Sequence, residues 1–200
     1  MQALAASVAV VLAGLAVLWQ ATDGGQALTA ERARRLTALR DMPAVPEVVL
    51  ETMTGTPLPL GGPTKRATLV EFIYTTCPTI CQAAGAEMAR LADDVRAAGL
   101  DESVRLVSIS FDPGRDDPDA LNAYGEGHGA DGALWTVARP DPDDLPALLA
   151  TFGVVVIPDR WGGFTHNTAL HVVDAGGRLR AIVDYDDPAA ALTALHGVVQ

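Results

Sequence analysis

The fold of this chain is decided by residues 70–81, Val70-Glu71-Phe72-Ile73-Tyr74-Thr75-Thr76-Cys77-Pro78-Thr79-Ile80-Cys81, which hold both of its cysteines. Residues 69–74 are apolar apart from Glu71, which predicts a largely buried strand. Pro78 suits the first turn of a helix, where its missing N–H costs no hydrogen bond. The stretch therefore predicts a junction at which a buried strand passes into a helix.

Cys77 and Cys81 stand at this junction, one helical turn apart. Cys77 is predicted to be the N-cap of the helix, where backbone N–H groups and the helix dipole favour the thiolate and lower the pKa of the thiol. A spacing of four residues places both sulfurs on about the same face, close enough to share a metal ion or to close a disulfide. The pair predicts thiol chemistry, with metal binding and disulfide exchange both open.

Length and composition limit the class of protein. The 200 residues, 49% of them hydrophobic, suffice for one packed domain and an N-terminal segment. The net charge is −11, and the only basic cluster is Arg32, Arg34, Arg35 and Arg40, which argues against a nucleic-acid partner. Two cysteines cannot build a disulfide scaffold, so we expect their role to be chemical.

Residues 1–20 are predicted to be a membrane anchor. Within them, residues 3–19 form an uncharged run that barely spans a hydrocarbon core of about 30 Å. A cleaved signal peptide is the alternative, but no Lys or Arg precedes Arg32 and residues 19–21 are a poor cleavage site. We expect an uncleaved transmembrane helix, although arginines that follow the span oppose an outward-facing domain under the positive-inside rule. Residues 21–45 are then a linker and a membrane-proximal helix.

The remaining residues, 46–200, alternate between strand and helix patterns. The expected elements are a hairpin within residues 48–60, the strand at 69–74, a helix from Pro78 to near Gly99, a strand at 104–111, a helix at 118–124, a strand at 133–138, a helix at 143–152, a short strand at 154–157, a hairpin over 169–183 and a helix at 188–198. We also expect a glycine-rich loop over residues 125–132 and an irregular loop over residues 158–165. This order predicts an α/β domain, thioredoxin-like with an N-terminal β-hairpin, whose first core junction carries the cysteine pair.

One histidine is well placed to act with the cysteines. His166 lies in a glycine-rich loop just before a predicted strand, where its side chain can be presented to a site. His171 lies inside that strand and is expected to be packed or at the surface, whereas His128 and His196 are expected to be solvated. Two thiolates and an imidazole form a soft ligand set that suits Cu(I), with zinc and one water molecule as the competitor.

Asp112 is a further candidate because it follows the strand predicted at residues 104–111. The ends of neighbouring strands share an edge of the sheet, so Asp112 is expected near Cys77. Together with Pro113 it forms a common turn sequence, and a purely structural role is the alternative. As a site residue, it would orient a ligand or accept a proton as the thiols become thiolates.

Three motifs occur in a characteristic order: FIYTTCPTIC at residues 72–81, VSISFDP at residues 107–113 with Asp116, and THNTAL at residues 165–170 before Asp174. From about Pro46 to the C-terminus, the chain resembles the SCO/SenC family, copper chaperones of cytochrome c oxidase assembly with a thioredoxin-like fold. The resemblance implies copper ligation by Cys77, Cys81 and His166, with Asp112 near the site. It also implies a domain tethered to the outer face of an energy-transducing membrane.

Two functions from different classes follow. The first is a metallochaperone in the inner (cytoplasmic) membrane, with its domain on the periplasmic or extracytoplasmic side. It would pass copper, as Cu(I) or Cu(II), to the binuclear copper centre of the copper-accepting subunit of cytochrome c oxidase. The second is an extracytoplasmic thiol-disulfide oxidoreductase in which Cys77 attacks and Cys81 resolves. Three residues separate these cysteines where the usual exchange motif has two, which together with His166 favours copper. A redox disulfide between them cannot chelate, so copper loading is expected to depend on the thiol redox state.

Overall fold

The N-terminal residues form a unit of their own. The structure is a computed structural model that describes residues 2–22, 24–25, 29–77 and 80–199, and it divides the chain at residue 41. The first unit contains helices α1 (Gln2–Ala21) and α2 (Ala30–Asp41). Among the residues described, no helix is long and apolar enough to cross a membrane. The predicted transmembrane helix is therefore not supported.

The second unit is organised by a seven-stranded sheet. Its strands are β1 (Val48–Thr52), β2 (Pro57–Leu60), β3 (Ala67–Ile73), β4 (Val104–Ser110), β5 (Trp135–Arg139), β8 (Ala169–Val173) and β9 (Leu179–Asp184), in the order β2-β1-β5-β4-β3-β8-β9. The three central strands, β5, β4 and β3, run parallel, β1 and β8 pair antiparallel with β5 and β3, and the outer strands β2 and β9 pair antiparallel with β1 and β8. Every residue of β3 and β4 is buried, as expected for parallel strands that are covered on both faces. The predicted α/β class and the N-terminal hairpin, β1–β2, are confirmed.

Four helices cover the sheet: α3 (Ile80–Ala97), α4 (Pro118–His128), α5 (Leu145–Phe152) and α6 (Pro188–Val199). The helix predicted after the cysteines is confirmed by α3, whose Met88 and Leu91 are fully buried against the sheet. Leu195 of α6 belongs to the same core, beside Leu69 of β3 and Leu106 of β4. This core anchors the helix that carries Cys81 and leaves the ends of β3 and β4 to form a site.

The prediction of a glycine-rich loop over residues 125–132 is wrong for residues 125–128, which are helical. Helix α4 continues through Gly125 and ends with Gly129 in the left-handed conformation, at a φ of 85°. Glycine usually weakens a helix, but here it is needed for packing. A Cβ added to Gly125 would lie 2.7 Å from the sulfur of Met53. Close packing between the helix and the residues after β1, invisible in the local sequence, outweighs the helix-breaking tendency.

The irregular loop predicted over residues 158–165 is also wrong in part. Strands β6 (Val156–Pro158) and β7 (Phe164–His166) pair as an antiparallel hairpin that forms a separate two-stranded sheet. The Asp159 carboxylate accepts hydrogen bonds from the backbone N–H groups of Trp161 and Gly163, at 2.7 and 2.8 Å, and so closes the turn. His166 is consequently the last residue of a strand.

Candidate metal centre

The two cysteines lie between the end of β3 and the first turn of α3. Both are buried, at 3% exposure for Cys77 and 1% for Cys81, and no disulfide joins them. The backbone N–H of Cys81 donates a hydrogen bond to Sγ of Cys77 at 3.3 Å, so the first sulfur faces the start of the helix as predicted. The helix is described from Ile80 onward, and the first-turn position predicted for Pro78 lies outside the described residues.

His166 lies beside the second cysteine. Its Nε2 is 3.8 Å from Sγ of Cys81, and its Nδ1 is 3.3 Å from the backbone carbonyl of Asn167. An Nδ1–H donated to that carbonyl leaves the lone pair of Nε2 for the sulfur side. The ring packs edge-on against Phe111, with 4.8 Å between ring centres. Burial lowers the pKa of His166, which favours the neutral imidazole that ligates metals.

The three predicted ligands are neighbours, but they do not form a closed coordination shell. Over the described part of the chain, no group of three or more His, Cys, Asp or Glu side chains has a geometry that could hold a metal ion. Burial raises the pKa of the Cys81 thiol, and its contact with Cys77 adds to the effect. Cys81 is therefore a protonated thiol at neutral pH, and ligation by it requires proton release and a small closure of the three groups.

Asp116 fixes the turn that leads to Cys77, a role that sequence reasoning missed. Its fully buried carboxylate accepts hydrogen bonds from the backbone N–H of Thr75 at 3.0 Å, the Thr75 hydroxyl at 2.6 Å and the Ser110 hydroxyl at 2.5 Å. Hydrogen bonds to a carboxylate are stronger than those between neutral groups. They tie the residue two positions before Cys77 to the end of β4. The available signal was a second acidic residue shortly after the strand that ends at Ser110.

Asp112, predicted to lie near the ligands, takes part through an arginine. Its carboxylate accepts a hydrogen bond from Nε of Arg115 at 2.5 Å. Arg115 also donates from Nη1 to the carbonyl of Gly162 at 2.7 Å, and its guanidinium lies 5.3 Å from the ring centre of Phe164. Through Arg115, Asp112 is therefore linked to the hairpin that carries His166. The same carboxylate stabilises the turn after β4 and contacts the candidate site indirectly.

The floor of the site contains a buried carboxylate and a buried tyrosine. Glu71 of β3 accepts a hydrogen bond from the Ser108 hydroxyl, which in turn accepts one from the Trp135 indole at 2.9 Å. Among the residues described, none donates a hydrogen bond to the other carboxylate oxygen of Glu71, and burial raises the pKa of this group to about 7. The Tyr124 hydroxyl donates to the carbonyl of Cys81 at 2.8 Å. Helix α4 is thereby joined to the first turn of α3.

The other histidines lie away from the cluster of three. His171 is buried beside Phe72 and Phe152, so its predicted packing role is confirmed. His128, predicted to be solvated, is half-buried against Tyr124 with 4.3 Å between ring centres. That ring lines a cavity of about 360 Å³ beside the cysteine turn. His196 is half-buried on α6, with Nδ1 2.9 Å from the Leu192 carbonyl, so it too is less solvated than predicted.

Comparison with known proteins identifies the family. The SCO1/SenC family model matches residues 53–199. The SCO1 protein homolog of Bacillus subtilis is 26% identical over 122 residues, which cover 59% of this chain and 61% of that protein. The chain therefore spans less than two thirds of the length of this curated relative.

Solved structures show the same fold. A putative electron transfer protein from Aquifex aeolicus superposes with a TM-score of 0.69 at 18% identity, covering 77% of this chain and 91% of that one. A SCO1/SenC family lipoprotein from Bacillus anthracis gives 0.66 at 22% identity, with 76% and 95% covered. ScoI of Bradyrhizobium japonicum, solved with copper bound, gives 0.63 at 23% identity, with 78% and 99% covered. With a family model matched over most of its length and this thioredoxin-like fold, the chain belongs to the SCO1/SenC family.

Proposed function

We propose that this protein is a copper chaperone that delivers copper to the copper-accepting subunit of cytochrome c oxidase during assembly. The observation that carries the proposal is the 3.8 Å approach of His166 Nε2 to Cys81 Sγ, beside a Cys77 sulfur that faces the same helix start. Two sulfurs and one imidazole are the soft donors that Cu(I) prefers. Sco proteins of Bradyrhizobium japonicum and Arabidopsis thaliana have been solved with copper bound.

Copper is the cargo of the proposed reaction, and ligand exchange is the whole of it. Cys77 and Cys81 bind as thiolates and release their protons, and neutral His166 adds the third ligand. A three-ligand site leaves room for a thiolate of the accepting subunit to join before one of the donor's ligands leaves. The lowered pKa of His166 suits this role, because the ring needs no deprotonation at neutral pH.

A thiol-disulfide oxidoreductase is the second candidate, favoured by the closeness of the two cysteines. In that reaction, a Cys77 thiolate attacks a protein disulfide and Cys81 then displaces the partner, forming the Cys77–Cys81 disulfide as the substrate is reduced. The near-complete burial of both residues counts against direct attack on a bulky protein substrate. His166 also has no required part in this exchange, so the two functions are separable by mutation.

Copper titration of the reduced full-length protein against a competing chelator tests the proposal. We expect one tightly bound copper per chain, abolished by the double substitution C77A/C81A and weakened at least tenfold by H166A. The matched control is H196A, which removes a half-buried histidine of α6 and should bind as the wild type does. Absence of copper binding by the reduced wild type, or equal binding by H166A, would overturn the assignment.

Transfer to the accepting subunit distinguishes the two candidates. Copper-loaded protein is mixed with the copper-free, reduced soluble domain of the oxidase subunit, and the spectrum of the binuclear centre is followed. The chaperone function predicts that the centre fills and that H166A slows the process. The oxidoreductase function predicts instead that the protein reduces the oxidised subunit domain at rates unaffected by H166A.

We further propose that the domain works outside the cytoplasm. Support comes from family membership and from the relative in Bacillus anthracis, which is a lipoprotein. A reporter enzyme that is active only outside the cytoplasm, fused after Gln200, should give activity. Activity of a cytoplasm-specific reporter in the same fusion would contradict this location.

A further inference from the structure

The hairpin β6–β7 carries His166, and neither of its strands belongs to the main sheet. Its position over the cysteines therefore depends on side-chain contacts and on residues 167–168, which join it to β8. The aromatic contacts join Phe164 to Tyr74 and Phe111, with ring centres 5.2 and 5.5 Å apart. Such contacts hold the hairpin against the core, but they leave its rotation and its depth weakly defined.

Arg115 supplies a directional contact between the core and this hairpin. The Asp112 carboxylate orients the guanidinium at Nε, and Nη1 then reaches 2.7 Å to the Gly162 carbonyl, 47 residues further along the chain. The same group covers the ring of Phe164, which lies two residues before His166. A planar guanidinium can serve three such partners in fixed directions, whereas an ammonium group cannot.

The exposure of Arg115 indicates positioning rather than folding stability. Its side chain is 46% exposed, and ion pairs in such surroundings contribute little to stability. Removing it should therefore leave the domain folded. Removal of Arg115 should also loosen the hairpin β6–β7, whose last residue, His166, lies close to the Cys81 sulfur.

We propose that Arg115, oriented by Asp112, is a positioning residue that sets how closely His166 approaches Cys81. This inference rests on the proposed copper-binding function for its effect on affinity. The effect of Arg115 on the distance between His166 and Cys81 is expected in the metal-free protein as well. His166 lies against the Cys81 sulfur, and a hairpin released from Arg115 covers that sulfur less often.

The first test is copper affinity in a double-mutant cycle. R115M should weaken copper binding about tenfold, R115K should restore part of the loss, and D112N should weaken binding less than R115M. In the H166A background, R115M should have no further effect. R90M is the matched control, because Arg90 is also paired with an acidic residue three positions earlier and is exposed at the surface. Equal affinity of R115M and wild type, or an equal loss in the H166A background, would overturn the proposal.

The second test needs no copper. In the reduced metal-free protein, R115M should speed alkylation of the cysteines by iodoacetamide several-fold at unchanged thermal stability, and R90M should not. Unchanged alkylation would overturn the role of Arg115 whatever the protein does with copper. If R115M is alkylated faster than wild type but the wild type binds no copper, the positioning role stands and only the chaperone function is overturned.

Discussion

The two halves of the candidate metal centre are built differently. On the cysteine side, the turn before Cys77 is tied by three hydrogen bonds to the fully buried Asp116, and Cys81 is tied to Tyr124. On the histidine side, His166 sits on a separate hairpin whose polar ties to the core include the half-exposed Arg115 and a long hydrogen bond from the Phe164 N–H to the Tyr74 hydroxyl. Buried hydrogen bonds resist rearrangement more strongly than surface contacts.

This difference suits the transfer of a metal ion. In the proposed copper site, the two sulfurs held by the core would provide the lasting part. The imidazole of His166, on a hairpin outside the main sheet, would complete the site and would withdraw more readily than the sulfurs. The exposed apolar side chains of the hairpin, Ile157 at 58% and Trp161 at 84%, lie on the histidine side as well. Removing a hydrogen-bonding group of the cysteine turn should therefore cost more unfolding free energy than removing a contact of the histidine hairpin, which should mainly weaken copper binding.

The largest effect is expected from D116A. The substitution leaves the buried Ser110 hydroxyl and the two half-buried Thr75 donors without this acceptor, and we expect a loss of about 2 to 4 kcal/mol in the free energy of unfolding. Urea unfolding of the reduced protein measures it. D143A, at an exposed acidic position before α5, is the control and should change stability by less than about 0.5 kcal/mol. A stability loss for D116A no larger than that of the control would contradict a rigid cysteine half.

An intermediate and pH-dependent effect is expected from E71Q. Burial raises the folded-state pKa of Glu71 from 4.5 to about 7, so its protonated form is favoured by folding. The stability that this protonation contributes is fully present below pH 4.5 and is lost as the pH rises through 7, a change of about 3 kcal/mol. E71Q removes this dependence. Relative to wild type, it should gain stability between pH 5 and pH 8 in urea unfolding.

The comparison of the two proteins isolates Glu71. The depressed pKa of His166 works in the opposite direction, costing stability as the pH falls, but it is common to both. Parallel stability curves for wild type and E71Q from pH 5 to pH 8 would show that Glu71 is not buried as a neutral acid.

The smallest effect is expected from Y74F, which removes a hydroxyl that lies between Phe164 of the histidine half and Cys77 of the cysteine half. The Tyr74 hydroxyl accepts a long hydrogen bond, 3.4 Å, from the backbone N–H of Phe164. Its loss should cost less than about 1 kcal/mol in unfolding free energy, because the bond is weak and partly solvated. Copper affinity should fall a few-fold. A destabilisation as large as that of D116A would show that the hairpin is as firmly built into the core as the cysteine turn.

Local patterns predicted much of the cysteine half. An apolar run, a proline and a four-residue cysteine spacing are neighbours in sequence, so the junction of β3 and α3 could be read directly. The buried repeat of α3 followed from helical periodicity. The terminal hairpin β8–β9 and helix α6 were also predicted from local patterns in the sequence.

The histidine half depended on contacts between distant residues, which no local pattern reveals. Arg115 and Gly162 are 47 positions apart, and Tyr74 and Phe164 are 90 apart. The strands β6 and β7 have three residues each, too short for an alternating pattern. The sequence therefore singled out His166 as a ligand candidate without revealing the hairpin that carries it.

The most direct test of the two-part site is X-ray absorption at the copper edge of the copper-loaded protein, compared with H166A. A two-part site predicts two sulfur ligands and one imidazole nitrogen in the wild type. In H166A, the two sulfurs should remain and the imidazole should be lost. An unchanged imidazole contribution in H166A, or a copper environment without sulfur in the wild type, would contradict it.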